Sequence, residues 1–116
     1  MTLPKEKEEN MKKKIKVSIN KEMYDRLMND IKKFNLSISR FNNQLIKFYL
    51  KNTFKLTIDK IKNEKIIQFL LDENLINDYF RFFYQSDIKT ETVFLRSIYT
   101  DYLSQDMEIR EKIIKK

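Results

Sequence analysis

Residues 14–20 constrain the fold more than any other part of the chain, because β-branched apolar residues alternate there with polar ones. Alternation of this kind predicts a half-buried β-strand, since successive side chains of a strand point to opposite faces. The two faces carry Ile15, Val17 and Ile19 on one side and Lys14, Lys16 and Ser18 on the other. A lone short strand leaves backbone groups unpaired, so it must pair with a second copy of itself or with a strand later in the chain.

The residue types that the chain lacks exclude most catalytic chemistry. There is no Cys and no His, which removes thiol nucleophiles, imidazole acid–base catalysis and the usual zinc ligands. There is also no Gly, whereas phosphate-binding loops need glycine where the backbone approaches the ligand. We therefore predict a protein that is not an enzyme and that holds no metal and no other cofactor.

Positive charge is concentrated in the half of the chain that contains the predicted strand. Residues 1–56 hold 14 Lys and Arg against 6 Asp and Glu, whereas residues 57–116 hold 10 against 11. A concentrated basic field favours a polyanionic partner, nucleic acid first. No apolar stretch approaches the length of a membrane-spanning helix and the N-terminus lacks a signal-peptide pattern, so we expect a cytoplasmic protein without a membrane partner.

Two amphipathic helices are predicted to follow the strand. Asn20 stands at an N-cap position, and apolar residues at spacings of three and four predict a helix over about 21–34. Asn35 follows, and Asn tolerates the left-handed conformation that often ends a helix. Ser37 or Ser39 can cap a second helix, which runs to about residue 52.

The segments outside this unit are less regular. Residues 1–11 mix charges without periodicity and are expected to be a mobile tail. Residues 53–64 fit either a linker or the start of another helix. Residues 65–116 form the second part of the chain, which is predicted to finish in a terminal helix from about residue 106.

That second part is either a degenerate repeat of the first or a purely helical domain. A shift of 52 residues aligns Ile67, Phe69 and Leu71 with Ile15, Val17 and Ile19, and a shift of 53 aligns the second helices. The pattern repeats, although few identities do. Residues 66–71 fit a second strand or the end of a helix that begins near residue 58, because short apolar runs distinguish strand from helix poorly.

A strand, a helix, a short turn and a second helix, with a polar and basic strand face, resemble the ribbon-helix-helix family of DNA-binding proteins. The resemblance covers residues 12–51, within a predicted unit of residues 12–52. It implies a mainly α fold in which two strands pair as an antiparallel ribbon that enters the major groove. It also implies that Lys14, Lys16 and Ser18 contact base edges, a role for which Lys and Ser have suitable hydrogen-bonding groups.

The resemblance further implies a phosphate contact at the start of the second helix. Ser37 and Ser39 would bind a phosphate there with Arg40, since free backbone amides and the positive end of the helix dipole favour an anion. Lys12 and Lys13 lie just ahead of the strand and are expected to contact phosphates, which adds affinity without specificity.

The two alternatives for the second part imply different assemblies. With a repeat, one chain supplies both strands as a pseudo-dimer, and Gln68 is the plausible base-contacting residue of the second strand. Without a repeat, the strand pairs with its copy across a homodimer, and residues 57–116 form a helical domain that binds a protein partner, as in plasmid partition adaptors. A third alternative is an antitoxin, in which the same residues bind a toxin. The predicted function is sequence-specific binding of double-stranded DNA by a repressor or a replicon-associated factor.

Overall fold

The computed structural model describes residues 13–52, 61–85 and 91–115. The first unit consists of strand β1 (Lys13–Ile19) and helices α1 (Lys21–Lys33) and α2 (Ile38–Lys51). The second unit consists of strand β2 (Lys65–Leu71) and helices α3 (Glu73–Gln85) and α4 (Glu91–Ser104), and helix α5 (Met107–Lys115) follows it. The protein is therefore mainly helical, with a two-stranded antiparallel sheet.

The second unit repeats the order of the first, because residues 65–71 form a strand. β1 pairs with β2 of the same chain in an antiparallel register that sets Lys16 opposite Gln68. This excludes the purely helical alternative for the second part of the chain. Residues 61–64 precede β2 without helical structure, while residues 53–60 and the predicted tail, residues 1–11, lie outside the described residues.

Alternation along both strands divides the sheet, which we call the ribbon, into a buried face and an outer face. The buried face consists of Ile15, Val17, Ile19, Ile67, Phe69 and Leu71, all at most 2% exposed. These side chains join the apolar faces of the helices in one core. A slip of one residue would turn this set toward solvent at a cost of roughly 1.5–3 kcal/mol for each side chain, so the core determines the register.

Each outer edge of the ribbon is hydrogen-bonded to a side chain from the other unit. At the β2 edge, the Ser39 hydroxyl accepts from the Leu70 amide at 3.2 Å, and Asn43 Nδ2 donates to the Leu70 carbonyl oxygen at 2.8 Å. At the β1 edge, Arg96 Nε donates to the Ser18 carbonyl oxygen at 2.7 Å. In the sequence repeat, the shift of 52 residues aligns Ser18 with Leu70 and the shift of 53 aligns Asn43 with Arg96. The bond from Asn43 to Leu70 and the bond from Arg96 to Ser18 are therefore equivalent in the two units. Side chains thus occupy edge groups to which a third strand would bond.

The predicted helix ends of the first unit are confirmed. Asn20 Oδ1 accepts from the Met23 amide at 2.8 Å and caps α1, and the Ser37 hydroxyl accepts from the Arg40 amide at 3.1 Å and caps α2. Asn35 has φ 56°, the left-handed conformation expected after α1. Local polar side chains therefore decide where both helices begin.

Helix α5, the predicted terminal helix, closes the core beside α2 through buried Ile113 and Ile114. Its Arg110 Nε lies 2.9 Å from Oδ2 of Asp30 in α1, and the Tyr102 hydroxyl donates to the same oxygen at 2.6 Å. This buried group connects α1, α4 and α5. Among the described residues, no helix has the length and apolar character needed to cross a membrane.

Four tyrosines contribute to the core, and burial raises the pKa of each one above the usual value near 10. They are Tyr49, Tyr79, Tyr99 and Tyr102. A neighbouring carboxylate raises the pKa further in Tyr49, Tyr79 and Tyr102, through Asp101, Glu91 and Asp30 respectively. Because the folded state disfavours the phenolate, these residues link stability to alkaline pH.

We expect Tyr99→Phe to weaken the alkaline loss of stability. The phenol ionises near pH 10 in the unfolded chain and at higher pH in the fold, so its stabilising contribution is complete below about pH 10 and declines above it. Removing one such phenol should reduce the slope of unfolding free energy against pH by up to about 1.4 kcal/mol per unit. At pH 7 the free energy of unfolding of the variant should be lower by about 1–3 kcal/mol, because the side-chain oxygen of buried Asn42 no longer accepts a hydrogen bond from the Tyr99 hydroxyl.

Urea unfolding at a series of pH values from 7 to 11.5 measures both effects. Tyr84→Phe is the matched control for removal of a phenolic hydroxyl, because Tyr84 is 80% exposed and lies outside the core. If unfolding free energy fell with pH as steeply in Tyr99→Phe as in the wild type, the buried phenol of Tyr99 would not contribute to the alkaline loss of stability.

Candidate nucleic-acid interface

The outer face of the ribbon carries three cross-strand pairs. β1 contributes a polar row, whereas β2 contributes one amide between two aliphatic side chains. Five of the six residues are exposed and Ser18 is half-buried. In order along the ribbon, the pairs are Lys14 with Leu70, Lys16 with Gln68, and Ser18 with Ile66.

The dimensions of this face match the major groove of B-DNA. Residues at positions i and i+4 of a strand lie about 13 Å apart, so the three pairs span about four base pairs at 3.4 Å each. The groove is about 12 Å wide and admits a two-stranded ribbon. Three successive pairs can therefore reach several neighbouring base edges at once.

The two lysines of the outer face, Lys14 and Lys16, have no ionic partner among the residues that the structure describes. Lys13 differs, because its Nζ lies 3.9 Å from a Glu91 carboxylate oxygen and 5.1 Å from the centre of the Phe80 ring. The structure thus groups Lys14 with Lys16 but sets Lys13 on the opposite face. Lys12, the other predicted phosphate contact, lies outside the described residues.

The N-terminus of α2 lies beside one end of the outer face. The hydrogen bond between Ser39 and the Leu70 amide fixes this position, because Leu70 stands opposite Lys14 in the ribbon. Arg40 is exposed in the same turn, and the first turn of α2 contains no acidic residue. The hydroxyl oxygens of Ser37 and Ser39 accept backbone hydrogen bonds, which leaves their protons available for donation to an anion.

The equivalent helix start in the second unit has the opposite electrostatic character. α4 begins with Glu91, whose carboxylate accepts from the Tyr79 hydroxyl at 3.0 Å. The shift of 53 residues sets Val93 at the position of Arg40. An acidic side chain at a helix N-terminus competes with a phosphate for the same positive dipole end. The candidate interface is therefore asymmetric, with its anion-binding features in the first unit.

Sequence reasoning missed the side chains that hold the ribbon edges. Asn43 and Arg96 fall among the apolar positions of α2 and α4, where a polar residue is unexpected. The repeat contained a signal for them, since the shift of 53 residues aligns the two. The repeat alternative predicts Ile66, Gln68 and Leu70 on the outer face of the second strand, and the structure confirms this, since all three are exposed there.

The described residues show no arrangement suited to metal chemistry. Within residues 13–52, 61–85 and 91–115, no cluster of acidic side chains is positioned to hold a metal ion. Comparisons of the chain with models of protein families, with curated proteins and with solved structures find no match. The function is therefore argued from the geometry and chemistry of this chain.

Proposed function

We propose that the protein binds double-stranded DNA in a sequence-specific manner, as a tandem ribbon-helix-helix protein whose single chain supplies both strands of the ribbon. The observation that carries the proposal is the antiparallel pairing of β1 with β2, which brings Lys14, Lys16 and Gln68 to one exposed face. A repressor or a replicon-associated factor would use such binding to occupy a particular site.

Base recognition is assigned to the outer face of the ribbon. Lys16 can donate to the O6 and N7 acceptors of guanine, and the Gln68 amide can bond to N6 and N7 of adenine. Ser18 can serve as donor or acceptor. Lys16 and Gln68 stand opposite each other at the centre of the face, so they would contact neighbouring bases.

Affinity and orientation are assigned to the N-terminus of α2. Its free amides, the Ser37 and Ser39 hydroxyls and the Arg40 guanidinium would bind the DNA backbone beside the groove. The concentration of basic residues in the first half of the sequence favours the same polyanion. Since the second unit has Glu91 at the equivalent helix start, the protein would contact phosphates more strongly on one side of the ribbon.

One chain per DNA site is the stoichiometry that this architecture favours. β2 completes the ladder of β1, and side chains already bond to the outer edges at Ser18 and Leu70. The two rows of the outer face differ, so the site would not be palindromic. The partition-adaptor and antitoxin alternatives, in which residues 57–116 bind a protein, stay predictions. Most apolar residues of β2 and α3–α5 are used in the shared core, which favours DNA binding as the main function.

Selection from a duplex library with a randomised central region tests the proposal. The expected result is an enriched sequence that the protein shifts in a gel at 100 mM salt, with one chain for each duplex by native mass spectrometry. Binding should weaken steeply as salt is raised, because phosphate contacts release counterions. Failure to enrich any sequence, together with no shift of any duplex at 50 mM salt, would overturn the proposal.

Two alanine variants should separate base contact from phosphate contact. Lys16→Ala should weaken the free energy of binding to the selected duplex by about 1–3 kcal/mol and that to unrelated DNA by much less, so that the preference for the selected sequence decreases. Arg40→Ala should weaken binding to both duplexes by a similar factor. It should also reduce the slope of the logarithm of the binding constant against the logarithm of salt concentration by about one. Titration of both duplexes at three salt concentrations distinguishes the two. An equal loss from Lys16→Ala on the two duplexes would mean that the outer face acts only as a charged patch.

A further inference from the structure

The outer face exposes two large aliphatic side chains on one strand. Ile66 is 62% exposed and Leu70 is 44% exposed, and they flank Gln68 on the outer side of β2. The shift of 52 residues aligns Ile66 with Lys14 and Leu70 with Ser18 of β1, so polar residues are compatible with this backbone. An exposed apolar pair on a short strand promotes aggregation and gains nothing from the core. Such residues at these positions call for an occupant that covers them.

A second copy of the chain is a poor occupant for this face. Packing two outer faces together would bring Lys14 and Lys16 of both copies into one apolar contact, where unpaired charges are costly to bury. Addition of a strand at the β2 edge is opposed too, because Ser39 and Asn43 already bond to Leu70. The occupant must present apolar groups within a surface that attracts cations.

The major groove of DNA has this combination of properties. Its backbone phosphates attract the lysines, and the C5-methyl group of thymine is the apolar group that it presents among the base edges. Ile66 and Leu70 are separated by about 13 Å along β2, or about four base pairs. The Gln68 amide lies between them and suits adenine.

We infer that Ile66 and Leu70 are specificity-determining residues that contact thymine methyl groups on either side of the base read by Gln68. This inference rests on the proposed function and adds the substrate class to it: an asymmetric duplex with thymines under β2 and hydrogen-bonding contacts under β1. The aliphatic row would then discriminate bases by apolar contact, while Lys14 and Lys16 discriminate them by donation.

Replacement of thymine by uracil in the selected duplex tests this inference. Uracil keeps the Watson–Crick edge and the O4 acceptor and lacks only the methyl group. We expect the protein to bind the uracil duplex about fourfold more weakly for each contacted methyl group that is removed, hence about fifteenfold for two. Duplexes with a single uracil at each thymine position should locate the two contacts about four base pairs apart.

Variants of the two side chains complete the experiment. Ile66→Ala and Leu70→Ala should each bind the thymine duplex about fourfold more weakly and become insensitive to one of the two methyl groups. Ile109→Ala is the matched control, because Ile109 is also exposed, at 42%, but lies on α5. It should keep the full sensitivity of the wild type.

The outcomes distinguish the two proposals. Failure to enrich any duplex would overturn the proposed function. A duplex that binds specifically but contains no thymine, or that binds equally well with uracil, would overturn the thymine inference and leave the proposed function standing. Sensitivity to uracil that survives in both Ile66→Ala and Leu70→Ala would also overturn the inference, because the methyl groups would then contact other residues.

Discussion

Arg110→Ala is expected to lower the free energy of unfolding by about 3–5 kcal/mol, a large part of the stability of a domain of this size. Asp30 is 1% exposed and its carboxylate is bound by the Arg110 guanidinium at 2.9 Å. Burial alone would lower the pKa of Arg110, but the hydrogen bond and charge of Asp30, with Tyr102, raise it. Without Arg110, the carboxylate would depend on the Tyr102 hydroxyl for a hydrogen bond beside a low-dielectric core.

Urea unfolding at pH 7 measures the loss, and two controls define its origin. The double variant Asp30→Asn with Arg110→Met removes both charges. It should lower the free energy of unfolding considerably less than Arg110→Ala does, since no buried charge is left unpaired. Lys112→Ala breaks an exposed pair with Glu108 on the same helix and should cost less than about 0.5 kcal/mol. A loss below about 1 kcal/mol for Arg110→Ala would mean that water solvates the carboxylate once the arginine is gone.

Local rules were sufficient to predict the first unit. Alternation identified β1, and Asn20, Asn35 and Ser37 marked the helix ends where the structure has them. Each of these features depends on residues within four positions along the chain, so the sequence displays them directly.

The second strand was ambiguous for a reason connected with the proposed function. Alternation is the signal of a half-buried strand, but β2 carries Ile66 and Leu70 on its outer face and apolar residues on its buried face. The period of two is therefore hidden, and the run looks equally like part of a helix. The repeat at 52 residues was the observation that pointed to a strand, because it depends on aligned positions and not on local contrast.

The hydrogen-bond partners of three polar side chains could not be predicted from the sequence. Asn43 bonds to a residue 27 positions away, Arg96 to one 78 positions away, and Arg110 to one 80 positions away. No spacing rule connects residues so distant, since the contacts exist only after the two units have packed together. The candidate base contacts of β1 were predicted from the strand alone, whereas their alignment with β2 required the fold.

The double variant Lys14→Glu with Lys16→Glu should weaken binding to the selected duplex by about a thousandfold or more. Each substitution removes a donor to the base edges, worth about 1–3 kcal/mol, and adds a negative charge within the groove. Both side chains are exposed on the outer face, so the fold should be retained, which circular dichroism and thermal unfolding would verify. Gel-shift titration at 100 mM salt measures the loss.

Lys47→Glu with Lys51→Glu is the matched control for this effect. It lowers the net charge by the same four units, but its positions lie about 12 and 18 Å along α2 from Ser39. Exposed charges separated by more than about 10 Å are largely screened at 0.1 M salt, so the control should lose less than about tenfold in affinity. Equal losses of affinity in the two double variants would mean that the lysines of the outer face act only through the net charge of the protein. A large difference would mean that DNA approaches the paired strands themselves, where Lys16 and Gln68 stand opposite each other.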